Sequence, residues 1–274
     1  RVFRALTHFD RFSQSLDRMA LPALSQELFF KSLEMLLSGD AKKSLNVDFK
    51  GGQCLYLRPI ICNATNKLGP VMSEEFHFAL FTAPLLINPY GEVKLMIETE
   101  KSRAAKGGVA TAKTAGNYAA GAKVVIDAQK KGYKHVAFTD ASSHLYFEEC
   151  GSTNLYFIWN GKIVTPSLDE GTILNGVTRR TILEVVAPDL GLQVEERKVF
   201  VQEVRHAILD KDITEVFVSG TACTNTPVVG ISYKGLEYDL PPYHNDSITF
   251  QIHRAMNAIY VGETHIGLTA GHVY

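Results

Sequence analysis

The most informative segment of this 274-residue chain is Lys113-Thr114-Ala115-Gly116-Asn117-Tyr118, which follows the sequence GGVATA at 107–112. Together these residues nearly complete the phosphate-binding loop pattern G-x-x-x-x-G-K-[ST], but Ala112 occupies the position of the second glycine. A Cβ atom there obstructs the wrapping of backbone amides around phosphates. The charged segment 101–106 also precedes the loop, where a buried strand is required. These departures argue against a nucleotide hydrolase.

Small residues surround Lys113 in the sequence, namely Ala110, Ala112, Ala115 and Gly116. Small neighbours leave room for a bulky group against the amine, and an apolar lining lowers the pKa of a lysine toward a reactive value. A solvated loop lysine is the alternative, and spacing alone favours it because most lysines are exposed. The local residues therefore leave both interpretations open.

Composition limits the classes of function. The chain has 28 basic and 29 acidic side chains, so it lacks the basic surplus that nucleic-acid binding needs. Hydrophobic residues make up 46% of the chain, enough to build a sizeable core. No apolar run reaches the roughly 20 residues of a membrane span. We expect a soluble globular enzyme of one large or two modest domains.

Cysteine and histidine patterns give no support for a metal site. The four cysteines form no C-x-x-C pair, and the nine histidines form no H-E-x-x-H motif. So sparse a set of cysteines predicts reduced thiols and a cytoplasmic location. We also expect that native sequence precedes Arg1, because the chain opens without Met and runs directly into a structural element.

Hydrophobic periodicity and turn signals predict a mixed α/β chain. The predicted helices cover 8–20, 25–37, 118–131, 176–187, 201–209 and a terminal segment from about 247. The predicted strands cover 54–62, 76–81, 93–97, 135–139, 155–159, 162–165, 194–199 and 215–219. We expect a small N-terminal α/β domain at 1–85, a linker rich in Pro, Asn and Gly at 86–92, and a large domain at 93–274.

Six motifs occur in a fixed order between positions 8 and 222. They are His8-Phe9-Asp10-Arg11, Tyr56-Leu57-Arg58-Pro59, Lys113-Thr114-Ala115-Gly116-Asn117-Tyr118, Glu149-Cys150-Gly151-Ser152-Thr153-Asn154, Gly176-Val177-Thr178-Arg179 and Ser219-Gly220-Thr221-Ala222. This series resembles H-x-x-R, Y-I-R-P, K-x-G-G-N-Y, E-x-G-T-x-N, G-[IV]-[TV]-R and S-G-T-A of the branched-chain aminotransferases. Those are fold-type IV enzymes that depend on pyridoxal phosphate. Each motif is weak alone, and their order makes the resemblance strong.

The resemblance implies a fold and a reaction. The fold would combine a small α/β domain with a larger, barrel-like α/β domain that binds pyridoxal 5'-phosphate. The reaction would move the amino group of leucine, isoleucine or valine to 2-oxoglutarate in two ping-pong half-reactions. Its partners would be small amino acids and 2-oxo acids, without nucleic acid, membrane or metal, and the assembly would be a homodimer.

The resemblance also assigns the cofactor-binding residues. Lys113 would hold the cofactor aldehyde as an imine and move a proton between the substrate Cα and the cofactor. Glu149 would keep the ring nitrogen protonated, because its spacing of five residues to the Asn of the motif selects it over Glu148. Tyr118 would donate to the phenolate oxygen of the ring. The residues assigned to the phosphate are Arg11, Val177, Thr178 and Thr221.

Substrate binding is implied in the same way. The amides of Thr221 and Ala222, with the Tyr56 hydroxyl, would bind the α-carboxylate. Arg58 would meet the γ-carboxylate of glutamate and swing aside for an aliphatic side chain. Arg58 has an alternative structural interpretation, in which it pairs with an acid across the sheet.

Two departures and two alternatives remain at this level. The C-x-x-C that follows S-G-T-A in eukaryotic members is missing, because Thr226 stands three places after Cys223. Ala115 replaces the first motif glycine, a change that we expect the fold to tolerate. A D-amino-acid transaminase or an aminodeoxychorismate lyase would share the fold, but those relatives lack the G-N-Y and Y-x-R-P motifs that this chain contains. A non-catalytic phosphate-binding protein is opposed by the joint presence of Lys113 and Glu149.

Overall fold

The computed structural model describes residues 2–38, 47, 53–68, 73–86 and 91–263. The chain forms two compact units, one of Leu24–Ile87 and one that joins Arg1–Ala23 to Asn88–Tyr274. The division differs from the expected one, 1–85 and 93–274, at the first helix. Helix α1 (Ala5–Arg18) belongs to the larger unit because Arg4, at its start, is buried and donates to Thr181 Oγ1 at 2.9 Å.

The smaller unit contains one helix and a two-stranded ribbon. Helix α2 (Gln26–Leu37) begins after Ser25, whose hydroxyl accepts a hydrogen bond from the Leu28 N–H at 3.1 Å, as the sequence predicts. Strands β1 (Gln53–Asn63) and β2 (Phe76–Leu86) pair antiparallel over their full lengths. The linker expected at 86–92 begins inside β2 at Leu86, and residues 87–90 lie outside the described residues.

A mixed sheet of eight strands forms the centre of the larger unit. Its strands are β3 (Val93–Glu98), β4 (His135–Phe138), β5 (Asn154–Trp159), β6 (Lys162–Pro166), β7 (Val194–Arg197), β8 (Ile213–Gly220), β9 (Thr224–Tyr233) and β10 (Leu236–Asp239). The order is β4-β3-β9-β8-β5-β6-β7, with β10 paired to β9. Pairing is parallel between β4, β3 and β9 and between β6 and β7, and antiparallel elsewhere.

Helices cover both faces of this sheet. Besides α1 they are α3 (Ala115–Lys130), α4 (Val177–Thr181), a π-helical segment (Ile182–Val186), α5 (Ala187–Asp189), α6 (Val201–Leu209) and α7 (Ile248–Val261). Alternate residues of β5 point to opposite faces. Leu155 and Phe157 enter a core with residues of α6, and Tyr156 enters a core with the π-helical segment and α7. None of the helices in the described ranges has the length and apolar character that crossing a bilayer requires.

The connection between β5 and β6 shows how local sequence forms this sheet. Asn160 and Gly161 lie in the turn with φ values of 47° and 75°, both in the left-handed region that asparagine and glycine tolerate. Positive φ at both central positions is the requirement of a type I′ turn, which matches the twist of paired strands. The predicted hairpin is confirmed. Helices α1 and α3 each begin three residues before their predicted starts at 8 and 118.

Candidate active site

A small cleft in the larger unit brings together polar side chains from distant parts of the sequence. It is formed by α1, the loop before α3, the segments around β5, the start of α4 and the end of β8. Its lining residues are Arg11, Lys113, Glu149, Ser152, Asn154, Leu174, Gly176, Val177, Thr178, Ser219, Gly220 and Thr221. Six predicted site residues from distant parts of the chain therefore meet at one cleft: Arg11, Lys113, Glu149, Val177, Thr178 and Thr221.

Lys113 lies two residues before the start of helix α3 and is exposed to the cleft. Its ammonium group donates a hydrogen bond to Tyr118 Oη at 2.6 Å, from the first turns of the same helix. Its backbone N–H donates to Ser15 Oγ of α1 at 3.0 Å, and Ser15 is buried. The lysine is thus held by its backbone at one end and by a phenol at the other.

The loop that carries Lys113 is shaped by Asn117. The Asn117 amide group is buried and donates to Val109 O at 2.9 Å and to Ala112 O at 2.8 Å. Ala110 and Ala112 are also buried, so larger side chains there would displace the loop. The asparagine and the small residues of this segment therefore have a structural role: they fix the backbone that carries Lys113.

Glu149 enters the same cleft from a buried position. One carboxylate oxygen pairs with Arg103 at 2.9 Å, and the other accepts from the Leu174 N–H at 3.1 Å and from Asn154 Nδ2 at 3.3 Å. Burial raises the pKa of Glu149 to about 7, although Arg103 and the Leu174 N–H favour the ionised form and act in the opposite direction. Glu149 can therefore titrate near neutral pH.

Glu148, its neighbour, does not line the cleft. Successive side chains of an extended segment point to opposite sides, which separates the two carboxyl groups. Glu148 is 5% exposed, and its Oε2 has no hydrogen-bond partner in the described part of the chain. Burial raises the pKa of Glu148 to about 7 as well.

Anion-binding groups meet at the start of α4. The first N–H groups of a helix have no intrahelical partner and carry the positive end of its dipole. Val177 and Thr178 supply these groups, and Arg11 and Thr221 line the same cleft. The Thr178 hydroxyl is buried without a hydrogen-bond partner among the described residues. A buried polar atom of this kind needs a partner, which a ligand, an ion or a bound water can supply.

Three predicted substrate-binding residues are not among those that line the cleft. Tyr56 and Arg58 belong to β1 of the smaller unit, on the same face, with the guanidinium 5.2 Å from the centre of the Tyr56 ring. The residue opposite Arg58 in the register is Phe81, so the directly opposite position carries no acid. Ala222 follows Thr221 in the turn between β8 and β9 and is not among the lining residues of the cleft.

Sequence reasoning missed the residues that hold the predicted ones. Arg103 stands in a charged segment that gives the pattern of a solvated loop, yet its side chain is buried and also donates to Thr172 O at 2.6 Å. Asn154 belongs to one of the six motifs, but no function is predicted for it from the sequence. Ser15 lies outside these motifs. No signal in the sequence alone identifies Arg103 or Ser15. Within the described ranges no group of three His, Cys, Asp or Glu is arranged to hold a metal ion.

Comparison with known proteins identifies the family of this chain. The profile of the amino-transferase class IV family matches residues 1–231. The chain is 35% identical over 266 residues to a probable branched-chain-amino-acid aminotransferase of Staphylococcus epidermidis, covering 96% of this chain and 73% of the relative. This chain belongs to the class IV aminotransferase family.

Two solved structures show the fold. A branched-chain amino acid aminotransferase of Thermobaculum terrenum in its PLP form superposes with a TM-score of 0.78 at 20% identity, covering 96% of this chain and 80% of that one. A putative 4-amino-4-deoxychorismate lyase of Legionella pneumophila gives 0.75 at 16% identity, covering 94% and 86%. Since one fold carries two reactions, the fold alone does not select the reaction.

Proposed function

We propose that this chain is a pyridoxal phosphate-dependent branched-chain aminotransferase, which transfers the amino group of leucine, isoleucine or valine to 2-oxoglutarate. The observation that carries the proposal is that Lys113 and Glu149, an amine and a buried acid 36 positions apart, line one cleft together with an anion-binding helix start. The 35% identity to a probable branched-chain aminotransferase supports the choice of substrate class.

The residues present fit the cofactor. The phosphate needs several donors, and the N–H groups of Val177 and Thr178, the Arg11 guanidinium and the Thr221 hydroxyl provide them. The strongest support is the Thr178 hydroxyl, because it is buried beside the cleft without a partner in the described residues. A phosphate oxygen would remove the cost of that unpaired group.

Acid–base chemistry follows from three side chains. When bound, pyridoxal phosphate supplies an aldehyde for the amine and a ring that withdraws electrons from the substrate Cα. Lys113 would hold the cofactor covalently and, once displaced by the substrate amine, would carry the proton taken from Cα. Tyr118, 2.6 Å from the lysine amine, orients that amine and would offer a hydroxyl to the ring oxygen. Glu149 in its ionised form would accept a hydrogen bond from the protonated ring nitrogen.

Substrate binding is proposed from the resemblance and from the geometry of single elements. Thr221 and Ala222 share a turn whose backbone N–H groups suit a carboxylate, with the Tyr56 hydroxyl as a further donor. Arg58 would bind the second carboxylate of glutamate or 2-oxoglutarate. The lack of an acid opposite Arg58 on β2 supports this role over a cross-strand ion pair.

A panel of amino donors tests the reaction. Purified protein with pyridoxal phosphate and 2-oxoglutarate should form glutamate from L-leucine, L-isoleucine and L-valine, and should not use D-alanine. Transfer from D-alanine without transfer from L-leucine would indicate a D-amino-acid transaminase. Release of pyruvate from aminodeoxychorismate without any amino transfer would indicate the lyase.

Assembly and compartment belong to the same proposal. We propose a homodimer in a reducing, cytoplasmic compartment. All four cysteines are free thiols, and Cys150 and Cys223 are buried, which supports a reducing environment. The resemblance to the family supports the dimer, and sedimentation equilibrium of the purified chain measures it.

A further inference from the structure

Arg4 is a buried arginine outside the cleft. Its side chain is only 4% exposed, and it stands immediately before helix α1. Its backbone has φ 43° and ψ 47°, the left-handed conformation that non-glycine residues seldom adopt. Such a conformation persists where the surroundings hold the residue in place, and it is common at functional sites.

The Arg4 side chain reaches helix α4. Its Nη1 donates to Thr181 Oγ1 at 2.9 Å, and its Nη2 lies 3.6 Å from Glu184 Oε2. Thr181 is fully buried and its hydroxyl in turn donates to Val177 O at 2.8 Å. The two hydrogen bonds therefore form a relay from Arg4 through Thr181 to the first residue of α4.

Arg4 is also the N-cap residue of α1. The His8 N–H donates to Arg4 O at 3.0 Å, so the backbone of Arg4 is joined to the first turn of the helix. Arg11 stands seven residues further, about two turns along the same helix. The residue that anchors α1 thus contacts the helix that carries Val177 and the unpaired Thr178 hydroxyl.

We propose that Arg4 is a positioning residue for the phosphate-binding part of the cleft, because it ties the helix that carries Arg11 to the helix that begins with Val177 and Thr178. The inference rests on the proposed function, since it needs a ligand with a phosphate. Arg4 acts through these elements and not by contact with the ligand, because it does not line the cleft.

The test compares two ligands that differ only in the phosphate. The purified full chain, freed of cofactor, is titrated with pyridoxal phosphate and with pyridoxal, and binding is followed by visible absorbance. Arg4→Met should weaken binding of pyridoxal phosphate by about tenfold, the usual effect of losing a hydrogen bond to a charged group. Binding of pyridoxal should stay within about twofold of the wild type.

Two further variants complete the test, one in the relay and one as a control. Thr181→Val removes the relay hydroxyl at similar size and should give the same phosphate-specific defect, even where Arg4→Met fails to fold. Arg205→Met is the matched control, because Arg205 anchors α6 to β10 through Tyr238 at 2.7 Å, away from the cleft. Arg205→Met should leave both affinities unchanged.

The possible outcomes distinguish a failure of the Arg4 proposal from a failure of the proposed function. If Arg4→Met and Thr181→Val weaken the binding of pyridoxal phosphate and of pyridoxal equally, Arg4 has a general structural role and the proposal is overturned. Unchanged binding of both ligands would also overturn it. A wild-type chain that binds neither ligand would instead overturn the proposed function.

Discussion

At the scale of single residues, the proposed chemistry of the cleft depends on the ionisation of Glu149. Burial raises the pKa of this carboxyl group to about 7, and Arg103, 2.9 Å away, favours the charged form. Both groups are buried, so each needs the other as a partner. Glu149 is predictable from motif spacing. Arg103 is not, because its charge lies in a segment whose composition is that of an exposed loop.

Arg103→Met should therefore raise the pKa of Glu149 further, so that the carboxyl group is protonated at neutral pH. Because the pKa of Glu149 starts at about 7, an upward shift of one pH unit lowers its ionised fraction, and with it the activity at pH 7, by about fivefold. The same shift moves the acidic limb of the kcat profile to higher pH. Stability falls too, so the profile of kcat against pH is the measurement. Arg103→Lys keeps the charge and should shift the acidic limb less. Glu149→Gln has no carboxyl group to ionise, so its activity should not return to the wild-type level at any pH. An unchanged acidic limb in Arg103→Met would contradict this role.

Glu148 permits a separate prediction about stability. Its pKa, raised to about 7 by burial, lies above the ordinary value of 4.5, so the folded chain binds a proton that the unfolded chain releases between these values. The stabilising contribution is fully present below pH 4.5 and is lost as the pH rises through 7. Glu148→Gln stays neutral and should reduce the fall in the free energy of unfolding between pH 5 and 8 by on the order of 2 kcal/mol.

Urea unfolding of the cofactor-free chain at several pH values measures this change. The control is Glu100→Gln, because Glu100 is exposed and its substitution should leave the pH dependence of the wild type intact. Parallel pH dependences in the wild type and Glu148→Gln would show that Glu148 is not the titrating group.

At the scale of elements, the start of helix α4 is held by Asn154. Its amide nitrogen donates to Leu174 O at 3.0 Å and approaches Glu149 Oε2 at 3.3 Å. A Cβ atom at Gly176 would overlap Asn154 Oδ1. One asparagine from β5 therefore locates both the carboxylate that we propose for the cofactor ring and the helix start that we propose for its phosphate. Glycine precedes α4 because Asn154 approaches it closely.

Gly176→Ala should displace either Asn154 or the helix start. We expect a loss of about 1–3 kcal/mol in the free energy of unfolding, the usual cost of overpacking, together with weaker binding of pyridoxal phosphate. Urea unfolding and cofactor titration measure the two effects. Gly230→Ala in β9 is the control, since its Cβ would meet mainly the flexible Lys94 side chain, at 3.4 Å. Wild-type affinity and stability in Gly176→Ala would show that the close approach of Asn154 to Gly176 does not require glycine.

Strand β9 shows where prediction of elements fails. No strand is predicted at 224–233, a segment in which Asn225, Pro227 and Gly230 depart from the usual strand composition. Yet β9 lies between β3 and β8 in the sheet. Proline is tolerated because pairing with β3 begins at Val228, so Pro227 is paired only with β8. Such long-range pairing leaves no local signal, whereas the hairpin at Asn160 and Gly161 is local and was predicted.

At the scale of the whole molecule, the order of motifs is enough to predict the family. Hydrophobic periodicity and turn signals predict a mixed α/β chain, and composition predicts a large core. The assignment of α1 to the larger unit was not predictable. It depends on the buried Arg4 and on the bond from the Lys113 N–H to Ser15, each of which joins residues nearly 100 or more positions apart. The same long-range contacts bring Arg11 to the cleft.

The most direct test of the central claim is reduction with borohydride, followed by peptide mapping. The wild-type chain purified with pyridoxal phosphate should show an absorption band near the visible range that borohydride removes, and the mapped adduct should lie on Lys113. Lys113→Ala should lack the adduct, and Lys123→Ala should keep it, because Lys123 pairs with Asp127 on α3 and does not line the cleft. An adduct on another lysine, or no adduct in the wild type, would contradict the claim.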